Sequence, residues 1–254
     1  MSDSLWSIPL LFLAGASAGF IDSIAGGGGL ITLPVLLSLG LAPQDALGTN
    51  KFQSSFGSFT ATAYHIRKKN IILRDSWIGV GCTLVGAALG AWTVQQIASH
   101  TLGKLIPFLL SGILLYTFFT PRLGDIDHPP RISTNLFYTL AGVVLGFYDG
   151  FFGPGVGSFW AIAFVSLLGY NLSRATGYTK LMNFTSNIVS LAVFAIGGHV
   201  LPLSGVTMAA GQIVGARIGS HFVIKKGAPF IRPVFVSVVV IIVVKLFYDN
   251  FLAG

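Results

Sequence analysis

A glycine-rich motif that interrupts apolar sequence occurs twice in this chain, and it constrains the fold more than any other feature. The first copy, Gly19–Gly29, reads GFIDSIAGGGG, and the second copy, Gly146–Gly157, reads GFYDGFFGPGVG. Both copies end an apolar run with Gly-Phe-x-Asp, continue with small residues and lead into another apolar run. Glycine and proline weaken or interrupt helices. Each copy is therefore predicted to be a break between two helices.

A block that carries a lysine follows each glycine motif in the same order. Its first copy, Thr49–Ser55, reads TNKFQSS, and its second copy, Tyr178–Phe184, reads YTKLMNF. The repetition predicts two homologous halves, residues 1–122 and 132–254, joined by a linker at residues 123–131.

The composition places these halves in a membrane. Hydrophobic residues make up 53% of the chain and charged residues 9%, with a mean hydropathy of +0.79, whereas soluble domains carry about one quarter charged residues. The basic residues lie at the ends of apolar runs, so the net charge of +7 indicates contact with membrane lipid and not with nucleic acid. The chain is predicted to be an all-α integral membrane protein.

About ten apolar segments can be traced along the chain. The first is expected to remain as a span, because no basic segment precedes it and no clear cleavage site follows it. Several segments beside the repeated motifs are shorter than the roughly 20 residues that cross a bilayer. Because lipid cannot satisfy an exposed backbone, breaks at that depth are expected to line a protein-walled cavity. The segments are Leu5–Ile24, Leu30–Leu41, Phe52–Ile66, Trp77–Ala98, Leu102–Thr120, Leu136–Tyr148, Phe151–Tyr170, Leu181–Gly198, Val200–Val223 and Pro233–Leu252.

Equivalent loops of the two halves differ in basic character. The loop after the third segment has four basic residues, and its counterpart at residues 197–202 has no lysine or arginine. The loop after the ninth segment has three basic residues, and its counterpart has Lys104 alone. By the positive-inside rule these loops lie on opposite faces, which requires an odd number of crossings per half. The pattern predicts two inverted repeats of five segments with both termini outside; a re-entrant segment in each half would abolish the inversion.

The glycines of both motifs are candidate anion-binding positions. Where a break opens a helix, its first N–H groups and positive dipole end favour a negative charge. Close helix packing through small residues is the alternative. No Gly-Lys-Ser/Thr follows either cluster, so a nucleotide-binding loop is not indicated. The candidate glycines are Gly26, Gly27, Gly28, Gly29, Gly153, Gly155 and Gly157.

Lys51 and Lys180 are the most informative cations, because ionisable groups within membrane segments are costly. Each stands at the predicted start of an apolar run, so it either faces a cavity and binds an anion or extends to the membrane interface. Polar neighbours would add hydrogen bonds to the anion or would instead join helices. These neighbours are Asn50, Gln53, Ser54, Thr179, Asn183 and Asn187.

Asp22 and Asp149 are matched carboxylates placed just before each break. Each is a candidate proton-coupling site, a lysine counter-ion or a helix cap, with capping as the preferred interpretation. The histidines show no ligand spacing, and no catalytic arrangement is visible. No metal, cofactor or enzymatic activity is expected.

The glycine motifs and lysine blocks resemble the sulfite exporter TauE/SafE family of membrane permeases. The resemblance rests on Ala18–Gly29, Gly48–Lys51, Gly146–Gly155 and Thr179–Leu181, and it covers nearly the whole chain. It implies transport of small anions across the bacterial inner membrane, typically sulfite, sulfonates or related organosulfur acids. It also implies that the two motifs and the two lysine blocks line the transport site.

The residues and the resemblance together predict a secondary transporter of a small anion that works by alternating access. The anion site is expected near the membrane midplane, between the broken helices. An anion channel is the first alternative, and a membrane-embedded enzyme acting on a small organic acid is the second. The oligomeric state is left open.

Overall fold

The computed structural model describes residues 7–119 and 126–226, and within these ranges the chain is helical. One turn of 3-10 helix, Leu73–Ser76, precedes α4. The predicted tenth segment, Pro233–Leu252, lies outside the described residues, as do both termini and residues 123–125 of the linker. The α-helices are α1 (Ser7–Ala25), α2 (Gly29–Ser38), α3 (Pro43–Arg67), α4 (Trp77–Gln95), α5 (Ser99–Phe119), α6 (Thr134–Phe151), α7 (Val156–Leu168), α8 (Leu172–Ile196) and α9 (Pro202–Lys226).

Helices α3 and α8 begin about two turns earlier than their apolar segments predict. The chain before each lysine block is polar, but it carries strong helix-start signals. Pro43 occupies the first position of α3, where its fixed φ suits a helix and its missing N–H costs nothing. The Asn171 side chain caps α8 by accepting a hydrogen bond from the backbone N–H of Arg174 at 2.9 Å. The lysine blocks therefore lie inside long helices and not at helix starts.

Both glycine motifs interrupt the helices as predicted. The first break separates α1 from α2, and the second separates α6 from α7. Gly26 has φ of +72°, and Gly153 and Gly155 have φ of +100° and +81°. Other residues adopt these left-handed conformations only with strain, so the chain turns at the glycines.

Helices of one half pack mainly against helices of the other half. Helix α1 lies along α9, and α4 lies along α6. Glycines allow this close approach: a side chain at Gly15 would collide with the backbone of Met208, and one at Gly150 would collide with that of Ala87. Contacts advance in the same direction along both helices of each pair, since Gly15 meets Met208 and Gly219 meets Phe20. Both pairs are therefore parallel.

Helices α3 and α8, which carry the two lysine blocks, cross at the centre in opposite directions. Gly48, near the start of α3, packs against Phe194, near the end of α8. Farther along α3, the ring of Phe59 lies 5.4 Å from that of Phe184, and the end of α3 meets Gly177, near the start of α8. The pair is antiparallel.

Many polar side chains are buried and many large apolar side chains are exposed, unlike in a water-soluble protein. Lys51 and Lys180 are each 1% exposed, whereas Val144 and Trp92 are 64% and 59% exposed. Aliphatic side chains of α2 and α5 form one buried apolar cluster, and aromatic side chains of α6, α7 and α8 form much of another. By length and composition, the helical stretches Leu73–Gln95 and Leu172–Ile196 qualify as membrane-crossing segments. The surface and these helices suit a lipid environment.

Candidate functional site

Lys51 of α3 forms a buried ion pair with Asp149 of α6. Its Nζ lies 2.6 Å from Oδ1 of Asp149 and 2.5 Å from the backbone oxygen of the same residue. A third hydrogen bond, of 3.3 Å, goes to Oδ1 of Asn187. The side chains of Lys51 and Asp149 are 1% and 2% exposed. Because an ammonium group has three N–H donors, Lys51 is fully occupied in this arrangement.

Lys180 of α8 forms the homologous ion pair with Asp22 of α1. Its Nζ lies 3.1 Å from Oδ2 of Asp22 and also donates to the backbone carbonyl of that residue. Each aspartate lies near the C-terminal end of its helix, where backbone carbonyls and the negative dipole end attract a cation. Each pair joins a lysine of one half to an aspartate of the other half.

The two pairs differ in what holds the carboxylate. Oδ2 of Asp149 accepts a hydrogen bond from Ser186, whereas the counterpart of Ser186 in the first half is Gly57, which has no hydroxyl. Oδ1 of Asp22 instead accepts a long hydrogen bond of 3.4 Å from the backbone N–H of Gly28, across the helix break. Asp22 thus combines the capping and counter-ion roles, and Asp149 pairs with Lys51.

The two helix breaks face each other. A side chain at Gly26 would collide with the backbone of Gly157, and one at Gly29 would press against Pro154. The starts of α2 and α7 therefore lie close together, in a place that excludes side chains. Their first-turn N–H groups are largely bonded to carbonyls three residues earlier, as from Leu30 to Gly27 and from Ser158 to Gly155. The positive dipole ends of both helices nevertheless lie close together.

A small polar cavity, here called the central cavity, lies where these elements meet. It contains most of the residues predicted from sequence. The cavity is lined by Asp22, Gly26, Gly27, Gly28, Gly29, Asn50, Lys51, Ser54, Asp149, Gly153, Gly155, Val156, Asn183 and Asn187.

Four predicted residues lie outside this lining. One of them is Thr179, whose hydroxyl is buried without a hydrogen-bond partner among the described residues. Gly157 packs against the first break. Gln53 donates hydrogen bonds of 2.8 Å to Oδ1 of Asn50 and to Oγ of Ser54, so it supports two lining residues from behind. Lys180 holds Asp22 and does not border the cavity. Both lysines are buried in ion pairs inside the protein, so the interfacial alternative does not describe them.

Sequence reasoning missed three residues of the site. Thr32 donates a 2.5 Å hydrogen bond to Oδ1 of Asn50, Ser186 holds Asp149, and Val156 begins α7 at the cavity wall. Thr32 and Ser186 are polar residues one turn beyond Gly28 and Asn183, and that spacing was the available signal. Nothing in the sequence distinguishes Val156 from other apolar residues.

Two amides at the site have unfilled hydrogen-bonding capacity among the described residues. Oδ1 of Asn183 and Oε1 of Gln53 are buried without a hydrogen-bond partner. Buried polar atoms without a partner are uncommon in folded proteins. Asn183 also borders the central cavity, so a hydrogen-bond donor there, such as water, could complete the bonding of its Oδ1.

The chemistry of the central cavity suits a small anion. It offers one lysine, side-chain amides and the starts of two helices, which are groups that stabilise negative charge. Its two carboxylates, Asp22 and Asp149, are each paired with a lysine. Within residues 7–119 and 126–226, no cluster of histidine, cysteine, aspartate and glutamate could hold a metal ion.

Comparisons with known proteins agree with the motifs. The profile of the family described as "Sulfite exporter TauE/SafE" matches residues 11–246. A protein of Haemophilus influenzae named "Probable membrane transporter protein" is 47% identical over 243 residues, covering 96% of this chain and 95% of that protein. YfcA of Escherichia coli K12, with the same descriptive name, is 46% identical over 241 residues, covering 95% of this chain and 90% of YfcA.

More distant relatives carry the same description. YjnA of Bacillus subtilis, also a "Probable membrane transporter protein", is 26% identical over 225 residues, with 83% of this chain and 88% of YjnA covered. No solved structure gives a significant match. The family predicted from the glycine motifs and lysine blocks is thus confirmed. The chain belongs to the sulfite exporter TauE/SafE family and is a membrane transporter, not an enzyme.

Proposed function

We propose that this protein is a secondary transporter that carries small anions, in particular sulfur-containing ones, across the bacterial inner membrane by alternating access. The observation that carries the proposal is the central cavity itself. Two interrupted helices, one from each half, begin beside a buried lysine in one polar space. Secondary transporters built from repeats place their substrate sites at such a junction.

The topology in this proposal is ten membrane crossings in two inverted repeats, with both termini outside. The antiparallel crossing of α3 and α8 supports it, because equivalent helices point in opposite directions only when each half has an odd number of crossings. If α2 and α7 were re-entrant, α3 and α8 would cross the membrane in the same direction. The parallel pairs α1–α9 and α4–α6 also fit ten alternating crossings.

The alternating motion is assigned to the contact between the halves. The ion pairs Lys51–Asp149 and Lys180–Asp22 both cross this contact, and the two helix breaks meet there. A movement of one half against the other would change access to the cavity from either side while the anion stays at the centre. The sulfur-containing substrate class comes from the family description, and the cavity chemistry supports a small oxyanion.

The test is a ligand screen on the purified protein in detergent, read as a shift in thermal unfolding. Sulfite, sulfate, thiosulfate, sulfonates, thiocarboxylates and simple carboxylates are compared, because a ligand at 100 times its Kd stabilises the folded state by about 2.7 kcal/mol. The double variant Lys51→Gln/Asp149→Asn removes the cation without leaving a buried carboxylate unpaired. It is expected to abolish the anion-dependent shift.

Lys104→Ala is the matched control, because Lys104 is an exposed cation of α5. This variant is expected to keep the full shift. A shift that persists in the double variant, or its absence for every anion in wild-type protein, would contradict the proposed site.

A further inference from the structure

The further inference concerns how an anion gains access to Lys51, and it rests on the proposed function. In the structure all three N–H donors of Lys51 are engaged, two by Asp149 and one by Asn187. An anion that binds this ammonium group must displace at least one of these acceptors. The carboxylate of Asp149 is the charged competitor among them, whereas the backbone carbonyl and the amide are neutral.

The charges around the central cavity are balanced before any anion enters. Lys51 compensates Asp149, and Lys180 compensates Asp22. An anion that entered alone would leave one uncompensated negative charge in a buried site, and such a charge is strongly unfavourable. A proton that arrives with the anion restores the balance, because a protonated carboxyl is neutral.

We propose that Asp149 takes up a proton as the anion replaces it on Lys51, so that anion and proton cross the membrane together. In the empty site Lys51 is positive and Asp149 negative. In the loaded site Lys51 is positive, the anion negative and Asp149 neutral. Both states have the same net charge, so the transport of a monovalent anion is electrically silent.

The surroundings of Asp149 support this assignment. Its Oδ2 accepts a hydrogen bond from Ser186, so the carboxyl retains a partner when Lys51 turns to the anion. Helix α3 presents Lys51, and α8 presents Ser186, with Lys180 engaged by Asp22. Helix α4 has Cys82 as its titratable side chain, α7 has none, and α6 itself adds Tyr138 and Tyr148. Among these described helices, Asp149 is the carboxylate bound to the cavity lysine.

Asp22 is a weaker candidate for the same role. Its partner Lys180 does not border the central cavity, so an anion in the cavity has no reason to displace Asp22. Asp22 also binds the backbone of the first break at Gly28. The two pairs are therefore assigned different roles. In one pair Lys51 exchanges Asp149 for the anion, whereas the pair Lys180–Asp22 holds the halves together.

The experiment measures uptake of labelled sulfite and of methanesulfonate into proteoliposomes that contain the full chain. Methanesulfonate stays monovalent across the working pH range, so any accompanying proton comes through the protein. The wild-type uptake rate is expected to rise with an inward proton gradient and to be unaffected by a membrane potential set with potassium and valinomycin. Asp149→Asn is expected to ignore the proton gradient and to respond to an inside-positive potential, because its empty site carries one extra positive charge.

Asp22→Asn is the matched control in the other half. It is expected to retain the response to the proton gradient, whatever its absolute rate. An internal pH dye provides a measurement that needs no variant, since wild-type protein should bring in equal amounts of proton and methanesulfonate.

The direction of the wild-type response separates the proton-coupling role from the proposed function. Wild-type uptake that follows the potential and carries no proton overturns the proton-coupling role and leaves the proposed function standing. A proton-driven Asp149→Asn variant, or an Asp22→Asn variant that has lost the response, also overturns it. Absence of uptake of both anions by wild-type protein overturns the proposed function and this inference with it.

Discussion

The two halves of the molecule contain the same ion pair in different surroundings. Lys51–Asp149 is buried on both sides, borders the central cavity and is supported by Asn187 and Ser186. In the Lys180–Asp22 pair, Asp22 borders the cavity and is 19% exposed, whereas Lys180 does not border it. The difference shows that a repeated motif can form the same contact twice and still place its two copies in different surroundings. It also predicts that equivalent substitutions will have unequal effects.

The largest expected difference is in stability after removal of each lysine. Lys51→Ala leaves the Asp149 carboxylate buried without its cation, which costs about 3–5 kcal/mol. Lys180→Ala is expected to cost less, because the partly exposed Asp22 retains solvent contact. Denaturant unfolding in detergent measures both.

Lys51→Ala/Asp149→Ala is the control for the stability comparison. It removes the unpaired charge and should recover much of the stability that Lys51→Ala loses. Equal losses for Lys51→Ala and Lys180→Ala would remove the distinction between the two pairs.

The next prediction compares the two helix breaks. Gly26→Ala introduces a side chain against the backbone of Gly157 at a left-handed position, and strain alone costs about 1–2 kcal/mol. Gly153→Ala meets instead the Lys51 ammonium at 2.7 Å and the Asp149 carboxylate at 2.9 Å. We expect Gly26→Ala to lower the unfolding temperature more, and Gly153→Ala to weaken the anion-dependent thermal shift more.

Gly40→Ala is a useful reference for the helix breaks, since Gly40 has φ of +82° and no neighbouring atom within 4 Å of an added side chain. It isolates the cost of strain. Gly26→Ala should therefore be less stable than Gly40→Ala, and the opposite order would mean that the breaks are not tightly packed.

Removal of the hydroxyl that distinguishes the two ion pairs is expected to have a more limited effect than removal of either lysine's charge or a clash at the helix breaks. Ser186→Ala removes one hydrogen bond to the Asp149 carboxylate, and such bonds to charged groups contribute about 1.5–3 kcal/mol. Unfolding free energy should fall by an amount in this range. Ser190→Ala, at a buried serine one turn later on the same helix whose Oγ has no hydrogen-bond partner among the described residues, should change stability less. A larger loss for Ser190→Ala would argue against the importance of the Asp149 contact.

The sequence predicted those parts of the structure that depend on local signals. The glycine motifs located the helix breaks, because left-handed turns require glycine at Gly26 and Gly153. The duplication indicated that Lys51 and Lys180 are equivalent, and most predicted site residues border one cavity. The predicted starts of α3 and α8 lay too far along the chain, because hydropathy does not detect a polar helical turn that is buried by packing.

The pairing across the halves could not be read from the chain. Lys51 and Asp149 are separated by most of a repeat, and no local pattern indicates that a lysine of one half meets an aspartate of the other. The roles of Thr32 and Ser186 depend on the same crossing of helices. These contacts follow from three-dimensional packing, which a repeated motif suggests but does not specify.

The partnership of α1 with α9 also bears on how the protein is made. Helix α4 is synthesised before its partner α6, with only α5 between them. Helix α1 is synthesised long before its partner α9. The glycine-lined face of α1 is therefore expected to contact lipid or an insertion factor until α9 has been synthesised. The contact between α1 and α9 is therefore expected to form only after the seven helices between them have been synthesised.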